Sequence, residues 1–428
     1  MLSTSRKLTG YEKIYVTSNE RCQFAVEVSN SGLIPKIIRN LTTGVLGFYL
    51  KLEGDILSYH NRPVEIHSIP KHVKTCREAC KFADSLNFDY QDTFGMIAAD
   101  DHKVVINVSH LICDGGFFID FFNRLLRDEP PHLISKLPLT TDDIFSKELS
   151  KVTESEIEKH RQSVNFLTSL RWSPNYKELR AKSNENTKCK YIAVETPANE
   201  FQFLRNKINL TDLYMISTTL SYMAMNNELQ TTFGNSLCVD YRQYMNKSDI
   251  TPSNTQNTTE INVIADNIKP STTVRELGRK LRHDLLVKKD YHNVFASYKS
   301  LLSGGYIFQP GHTSWSELSN IGRFKLSETN YNYSNGKSLI TDMWVQQTMR
   351  TSFAEGVVGI LAYSKDKHGE NTLVTRFQQP CSVLNDQDAD IVMKSILHLC
   401  KEIPIDITIQ EAYDEISRFQ NKLRKDHC

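Results

Sequence analysis

A histidine, an aspartate four residues on and a pair of glycines stand together in Ser109-His110-Leu111-Ile112-Cys113-Asp114-Gly115-Gly116. An imidazole has an ordinary pKa of about 6.5, so its neutral form is plentiful at physiological pH. Held beside an alcohol or amine, it can take the proton as that group attacks an acyl carbonyl. Asp114 either fixes the tautomer of that imidazole or turns away and braces the loop. Gly115 and Gly116 permit positive φ and leave room for a substrate. A His and an Asp at this spacing recur by chance in many chains, so the pair takes its meaning from its surroundings. Cys113, inside the motif, reads as a small buried filler rather than a nucleophile.

The surroundings are ordered. Val104-Val105-Ile106-Asn107-Val108 is rich in β-branched residues and predicts a strand. Phe118, Phe121, Phe122 and Leu125 recur at helical spacing and predict a helix from Phe117 to Leu126. His110 therefore sits where a strand ends and a turn begins, a loop position braced by rigid elements.

Further along, helices are predicted at Arg77 to Leu86, Glu154 to Leu170, Thr273 to Lys288 and Asp386 to Lys401. Leu213, Ile216, Leu220 and Met223 mark an amphipathic helix with Thr211 or Asp212 as its cap. Ala412, Ile416, Phe419 and Leu423 mark the last helix. Tyr191 to Val194 and Ser236 to Val239 read as strands. Ser352 to Tyr363 and Thr372 to Phe377 read as a hairpin around Lys365 to Glu370. Pro130-Pro131 closes the helix after the motif. Loop-like Ser173-Pro174-Asn175 and residues 182–186 place a crossover between a first unit, 1–180, and a second, 181–428. Residues 248–257 read as loop. Trp315 and Trp344 read as core. Strands interleaved with helices favour an α+β layout.

The composition is that of a globular protein, with 39% apolar and 24% charged residues. Lys plus Arg number 51 and Asp plus Glu 50, for a net charge of +1. That balance gives no general argument for DNA or an anionic membrane as partner. No apolar run approaches the roughly 20 residues of a membrane span. Residues 1–7 lack the apolar core of a signal peptide. Nine scattered cysteines, with Cys76 and Cys80 four apart on a helix, make no zinc pattern and read as reduced thiols. The expectation is a cytoplasmic monomer without a resident metal or cofactor. No Walker loop or Rossmann glycine pattern is present.

Strand–His-x-x-x-Asp-Gly–helix resembles the signature of the acyltransferases related to chloramphenicol acetyltransferase. That group includes fungal alcohol acetyltransferases, plant acyl-CoA-dependent acyltransferases and the condensation domains of peptide synthetases. Asn87-Phe88-Asp89 resembles the family's lead-in, Val239-Asp240-Tyr241-Arg242 its central V-D-x-R segment, and Leu318-Ser319-Asn320-Ile321-Gly322-Arg323-Phe324 the S-N-L-G-x-F segment of the fungal branch. They occur in family order across nearly the whole chain. Ser109 stands where condensation domains carry a first histidine, and the plant D-F-G-W-G segment is missing. The fungal acetyltransferase-like branch fits best.

The resemblance implies an α+β fold of two chloramphenicol acetyltransferase-like halves, each a mixed sheet flanked by helices, with a tunnel between them. It implies His110 as the general base and Arg242 paired with Asp114 to hold the loop, with Asp240 in support. Ser319, Asn320 and Gly322 form a polar turn, explicable as plain turn chemistry; on the sharper reading they face the acyl group or its oxyanion. Asn257 is a weaker candidate of the same kind. The leading expectation is transfer from an acyl-CoA co-substrate to a small alcohol or amine. The alternative is amide formation from aminoacyl donors on a carrier protein or tRNA, including closure of a cyclic dipeptide. A non-catalytic binding module is the third reading, against which the intact motif stands.

Overall fold

Among the described residues, fourteen strands form three sheets, with helices between them. In chain order the strands are β1 (Ser5–Lys7), β2 (Arg21–Val28), β3 (Leu50–Glu53), β4 (Ile56–Tyr59), β5 (Ile66–Ser68), β6 (Gly95–Ala99) and β7 (Lys103–Ser109). They continue with β8 (Cys189–Pro197), β9 (Phe233–Asp240), β10 (Thr258–Ala265), β11 (Trp315–Phe324), β12 (Ile340–Thr348), β13 (Val357–Lys367) and β14 (Glu370–Pro380). The structure is a computed structural model, and it describes residues 4–127, 137, 139–169, 189–245, 257–302, 315–326, 340–348, 357–367, 370–380 and 384–426. Pro130-Pro131, Leu170, the loops at 173–175 and 182–186, and most of 248–257 lie outside the described residues, as does the start of the hairpin before Val357.

The first sheet has the order β12-β2-β7-β6-β5 and the second the order β10-β9-β11-β13-β14-β8. Both are mixed: β5 and β6 run parallel in the first, and β11 runs parallel to both β9 and β13 in the second. Two sheet-bearing halves with flanking helices make the α+β architecture expected from the sequence.

Every residue of β7 is buried, which is why its sequence is nearly continuous in β-branched residues rather than alternating. One cover is the helix Cys76–Ser85, packed on β2, β7 and β12. A capping box between Thr75 and Glu78 starts it. Its buried face is Cys76, Ala79, Cys80 and Ala83, and these small side chains let it lie close to the sheet. Both cysteines are free thiols.

The helix marked by Leu213 and Ile216 spans Leu210–Met225. It departs from the sequence expectation in two ways. Neither Thr211 nor Asp212 caps it: Asn209 holds the N-cap position with no side-chain bond, and Asp212 pairs with Arg282 at 2.8 Å. All its residues from Asp212 to Met225 are buried, so it has no solvent face. It runs through the second core, packed against β9, β11 and the helices Val274–Lys288, Asp386–Lys401 and Ile409–Asp426. The Asp386–Lys401 helix matches its expected span. In the last helix Ala412 and Ile416 are buried, while Phe419 and Leu423 are half-buried.

The halves exchange parts. β12 pairs with β2 from Ile340↔Val28 to Thr348↔Arg21, so the first sheet is completed from the second half of the chain. Conversely, Phe145, Leu149, Val152 and Ile157 pack in the core of the second half. A cut at residue 180 therefore splits both packing units. Lys365 of β13, fully buried, crosses to β12 and bonds Asp342 at 2.7 Å. Trp344 beside it is 1% exposed and sits in the first core.

Candidate active site

β7 delivers His110 to the face where the two halves meet. A short 3-10 turn, His110–Ile112, follows the strand, with the Ser109 hydroxyl accepting from the Leu111 N–H. The His110 N–H donates to the Glu20 carbonyl at 2.8 Å. The helix Gly115–Arg127 then begins, and Asp114 Oδ1 accepts from the Phe117 N–H at 2.8 Å as its cap.

Asp114 is 1% exposed and turns away from the imidazole toward the second half. Its Oδ2 accepts from the Asn257 N–H at 2.7 Å. Arg242 Nη1 lies 2.8 Å from Oδ1. Asp240 Oδ1 holds Arg242 in turn, accepting from its N–H at 2.9 Å and from Nη1 at 3.2 Å. Asp114 thus ties the motif turn to β9 and to the start of β10. That geometry braces a loop; it leaves tautomer control to other groups.

The two glycines serve this contact. Neither has positive φ, which corrects the expectation that they supply it. A Cβ on Gly115 would collide with Ile321, and one on Gly116 with Asp240 and Arg242. Their missing side chains are the space into which the second half fits.

His110 is half-buried at the edge of a cavity between the halves. Cys22, Gly115 and Phe118 line it from one side, and Cys238, Glu317, Ser319 and Ile321 from the other. The imidazole stacks on Tyr15, centroids 4.9 Å apart and planes 17° from parallel. Its Nδ1 is shielded and has no hydrogen-bond partner among the described residues. Burial alone pulls the imidazole pKa down, but the Cys22 thiol, Glu20 and Asp114 outweigh it and raise the value to about 10. Burial pushes Cys22 up, while Cys113 and His110 bring it down to about 6. The two groups stabilise each other's charged forms.

Three carboxyl groups act on this site. Glu20 is buried, bonded by Gln347 Nε2, and shifted upward by burial. Glu317 accepts from Cys238 Sγ at 2.9 Å. Burial and the nearby Glu260 raise Glu317 to about 8. Glu260 accepts from Ser236 Oγ at 2.7 Å.

Of the expected site residues, His110, Asp114, Gly115 and Ser319 border the cavity. Asn320 and Gly322 do not, because Glu317, Ser319 and Ile321 alternate onto the cavity wall and the residues between them face the other way. Ile321 lines the cavity, Gly322 takes φ 96° at a β-bulge, and exposed Asn320 bonds Thr211 and the Gly322 N–H. Their expected place at an oxyanion is corrected accordingly. Asn257 is buried and meets Asp114 through its backbone, so it too braces the loop. Tyr15, Glu20, Cys22, Cys238, Glu260 and Glu317 went unnoticed in the sequence. A signal existed for two of them: Glu260 and Glu317 are charges inside strand-like segments.

No protein-family model and no curated protein matches this sequence. Solved structures match it in shape. The chain is similar to the first condensation domain of the calcium-dependent antibiotic synthetase, in complex with a substrate analogue, at 12% identity and TM-score 0.66, covering 96% of this chain and 99% of that one. It is similar to polyketide synthase associated protein 5 from Mycobacterium tuberculosis at 11% identity and TM-score 0.64, covering 92% and 97%. It is also similar to the condensation domain of Monacolin K polyketide synthase at 10% identity and TM-score 0.64, covering 95% and 99%. At such identities the likeness is one of fold: this chain has the two-halved fold of condensation domains, along almost its full length.

Proposed function

We propose that this protein is a condensation-type acyltransferase that joins an activated acyl group to an amine, with His110 as general base. The observation that carries the reading is the placement of His110. It ends a buried strand, stacks on Tyr15, borders a cavity between two halves, and belongs to a turn pinned by the Asp114–Arg242 ion pair.

The chemistry is an acyl substitution. The acceptor nitrogen attacks the donor carbonyl carbon while His110 takes its proton. The tetrahedral intermediate then expels the thiol or hydroxyl of the donor, which leaves with that proton. The products are the amide and the free thiol or alcohol, and the imidazole is regenerated. Asp114 and Arg242 act as positioning residues. Ser319, on the cavity wall, is the nearest of the expected residues to an oxyanion role.

An amine acceptor is supported by the charges. Burial foremost, and then the like charge of Glu260 crowded beside it, raise Glu317. A cationic amine arriving there relieves that crowding; an alcohol does not. Aminoacyl thioesters on a carrier protein, or aminoacyl esters on tRNA, are the donors of this reading. An acyl-CoA donor, as in the alcohol acetyltransferases, is the second reading. It is favoured by Ser109, which is buried and shaped as a turn cap where condensation domains carry a first histidine.

The test is a panel of acyl-CoA, acyl-pantetheine and aminoacyl-tRNA donors, crossed with amines and alcohols and read by mass spectrometry. Amide products from aminoacyl donors are expected, and their loss in His110→Ala. Ester products from acyl-CoA alone select the second reading. Equal turnover by wild type and His110→Ala removes both.

A further inference from the structure

A second chamber adjoins the His110 cavity and shares its Glu317, Ser319, Gln347 and Leu361. Its far wall carries Arg376 and Gln378, two apart on β14 and so on one face of the strand. Arg376 is 2% exposed and Gln378 6%.

Both hold an unused donor. Arg376 Nη1 and Gln378 Nε2 are shielded from solvent and have no hydrogen-bond partner among the described residues. The rest of each side chain is occupied: Arg376 Nη2 donates to Gln378 Oε1 at 3.3 Å, and the guanidinium lies over the Tyr191 ring, 4.6 Å from its centroid. Among the described residues no carboxylate forms an ion pair with Arg376. A guanidinium does not shed its proton in a protein. Asp84 and Cys22 act on Arg376 only at a distance; a buried cation with no ion-pair partner in contact is unfavourable, and so is a buried donor without an acceptor. A planar anion accepting from Arg376 and Gln378 together satisfies both.

We infer that Arg376 and Gln378 form a subsite for a carboxylate of the substrate, next to the reacting centre. Resting on the acyltransferase reading, this names the acceptor class: a free amino acid, its carboxylate on Arg376 and Gln378 and its amine toward Glu317 and His110. A donor whose acyl chain ends in a carboxylate presents the same chemistry from the other side.

Calorimetric binding, one compound at a time so that nothing turns over, separates these. The acceptor arm compares each common amino acid with its amide. The donor arm compares the succinyl and butyryl thioesters of N-acetylcysteamine. A preference of at least about tenfold for the carboxylate is expected in one arm, the yield of a charge-assisted hydrogen bond. The preference should vanish in Arg376→Gln, shrink in Gln378→Leu and partly survive in Arg376→Lys, while the neutral compound binds as before and the circular dichroism is unchanged. If no carboxylate binds tighter than its neutral counterpart in either arm, the subsite is overturned. A wild-type protein that shows the preference yet transfers no acyl group keeps the subsite and loses the transferase reading; one that transfers without any preference does the reverse.

Discussion

His110 works against its own surroundings. A general base must be neutral when the acceptor arrives, yet the Cys22 thiol, Glu20 and Asp114 favour the charged ring. Its pKa is raised, so kcat/KM should climb with pH through a limb lying above the ordinary histidine value of about 6.5. Removing the Cys22 thiol removes the foremost of the raising influences. The imidazolium then gives up its proton more readily, and the limb in Cys22→Ala should move to lower pH. Superimposable wild-type and Cys22→Ala profiles would show that the thiol does not act on the ring. His110→Ala should cut turnover at least about 100-fold. Its circular dichroism should be unchanged, because the backbone bond from residue 110 to the Glu20 carbonyl does not need the side chain.

Among the elements, the turn from 110 to 116 is held from outside. Asp114 takes bonds from Phe117, Asn257 and Arg242, and two of those three partners belong to the second half. Gly116 lies where a methyl group would displace Asp240 and Arg242. Gly116→Ala should therefore cost about 1–3 kcal/mol, the usual penalty of overpacking, and loosen the ion pair that aims His110. Urea denaturation measures the first effect and kcat the second; a variant with unchanged midpoint and unchanged kcat would mean that the contact yields freely.

What the sequence made legible follows from range. The strand before His110, the aromatic helix after it and the helix Asp386–Lys401 are written in local periodicity. The motif resemblance then brought Asp114 and Arg242 together across 128 positions, where the ion pair is found. Local patterns could not show the bulge at Ile321, which shifts the register of β11 against β13 between Asn320 and Gly322. Nor could they show that β12 joins β2, because pairing depends on what two distant strands offer each other. The thiol of Cys22 gave no sign of its place beside the imidazole for the same reason: it is set by the register Arg21↔Ser109 between β2 and β7.

Across the whole molecule, the halves are joined by traded parts as well as by a shared cavity. Lys365 on β13, without solvent exposure, is met by Asp342 at 2.7 Å and Glu195 at 3.1 Å. Lys365→Met strands Asp342, itself buried, and should cost about 3–5 kcal/mol. Replacing both, Lys365→Met with Asp342→Leu, should recover much of that loss. Denaturant midpoints of the single and double variants decide it; equal midpoints for all three proteins would mean that the pair adds nothing to the joint.

The same exchange forbids an independent first half. A fragment ending at residue 180 lacks β12, so the edge of β2 from Arg21 to Val28 is left with unpaired N–H and C=O groups. It also exposes Phe145, Leu149, Val152 and Ile157, which are buried only against the second core. An apolar strand edge together with unmatched apolar side chains favours aggregation. Expressed alone, residues 1–180 should be insoluble or lack a cooperative thermal transition. Co-expressed with 181–428, they should co-purify as one complex, because β12 can then pair and the helix residues can dock. A soluble, cooperatively folding 1–180 fragment would show that β12 adds to a sheet already stable without it. His110 would then be delivered by one half alone, and the joint between the halves would serve only to close the cavity around it.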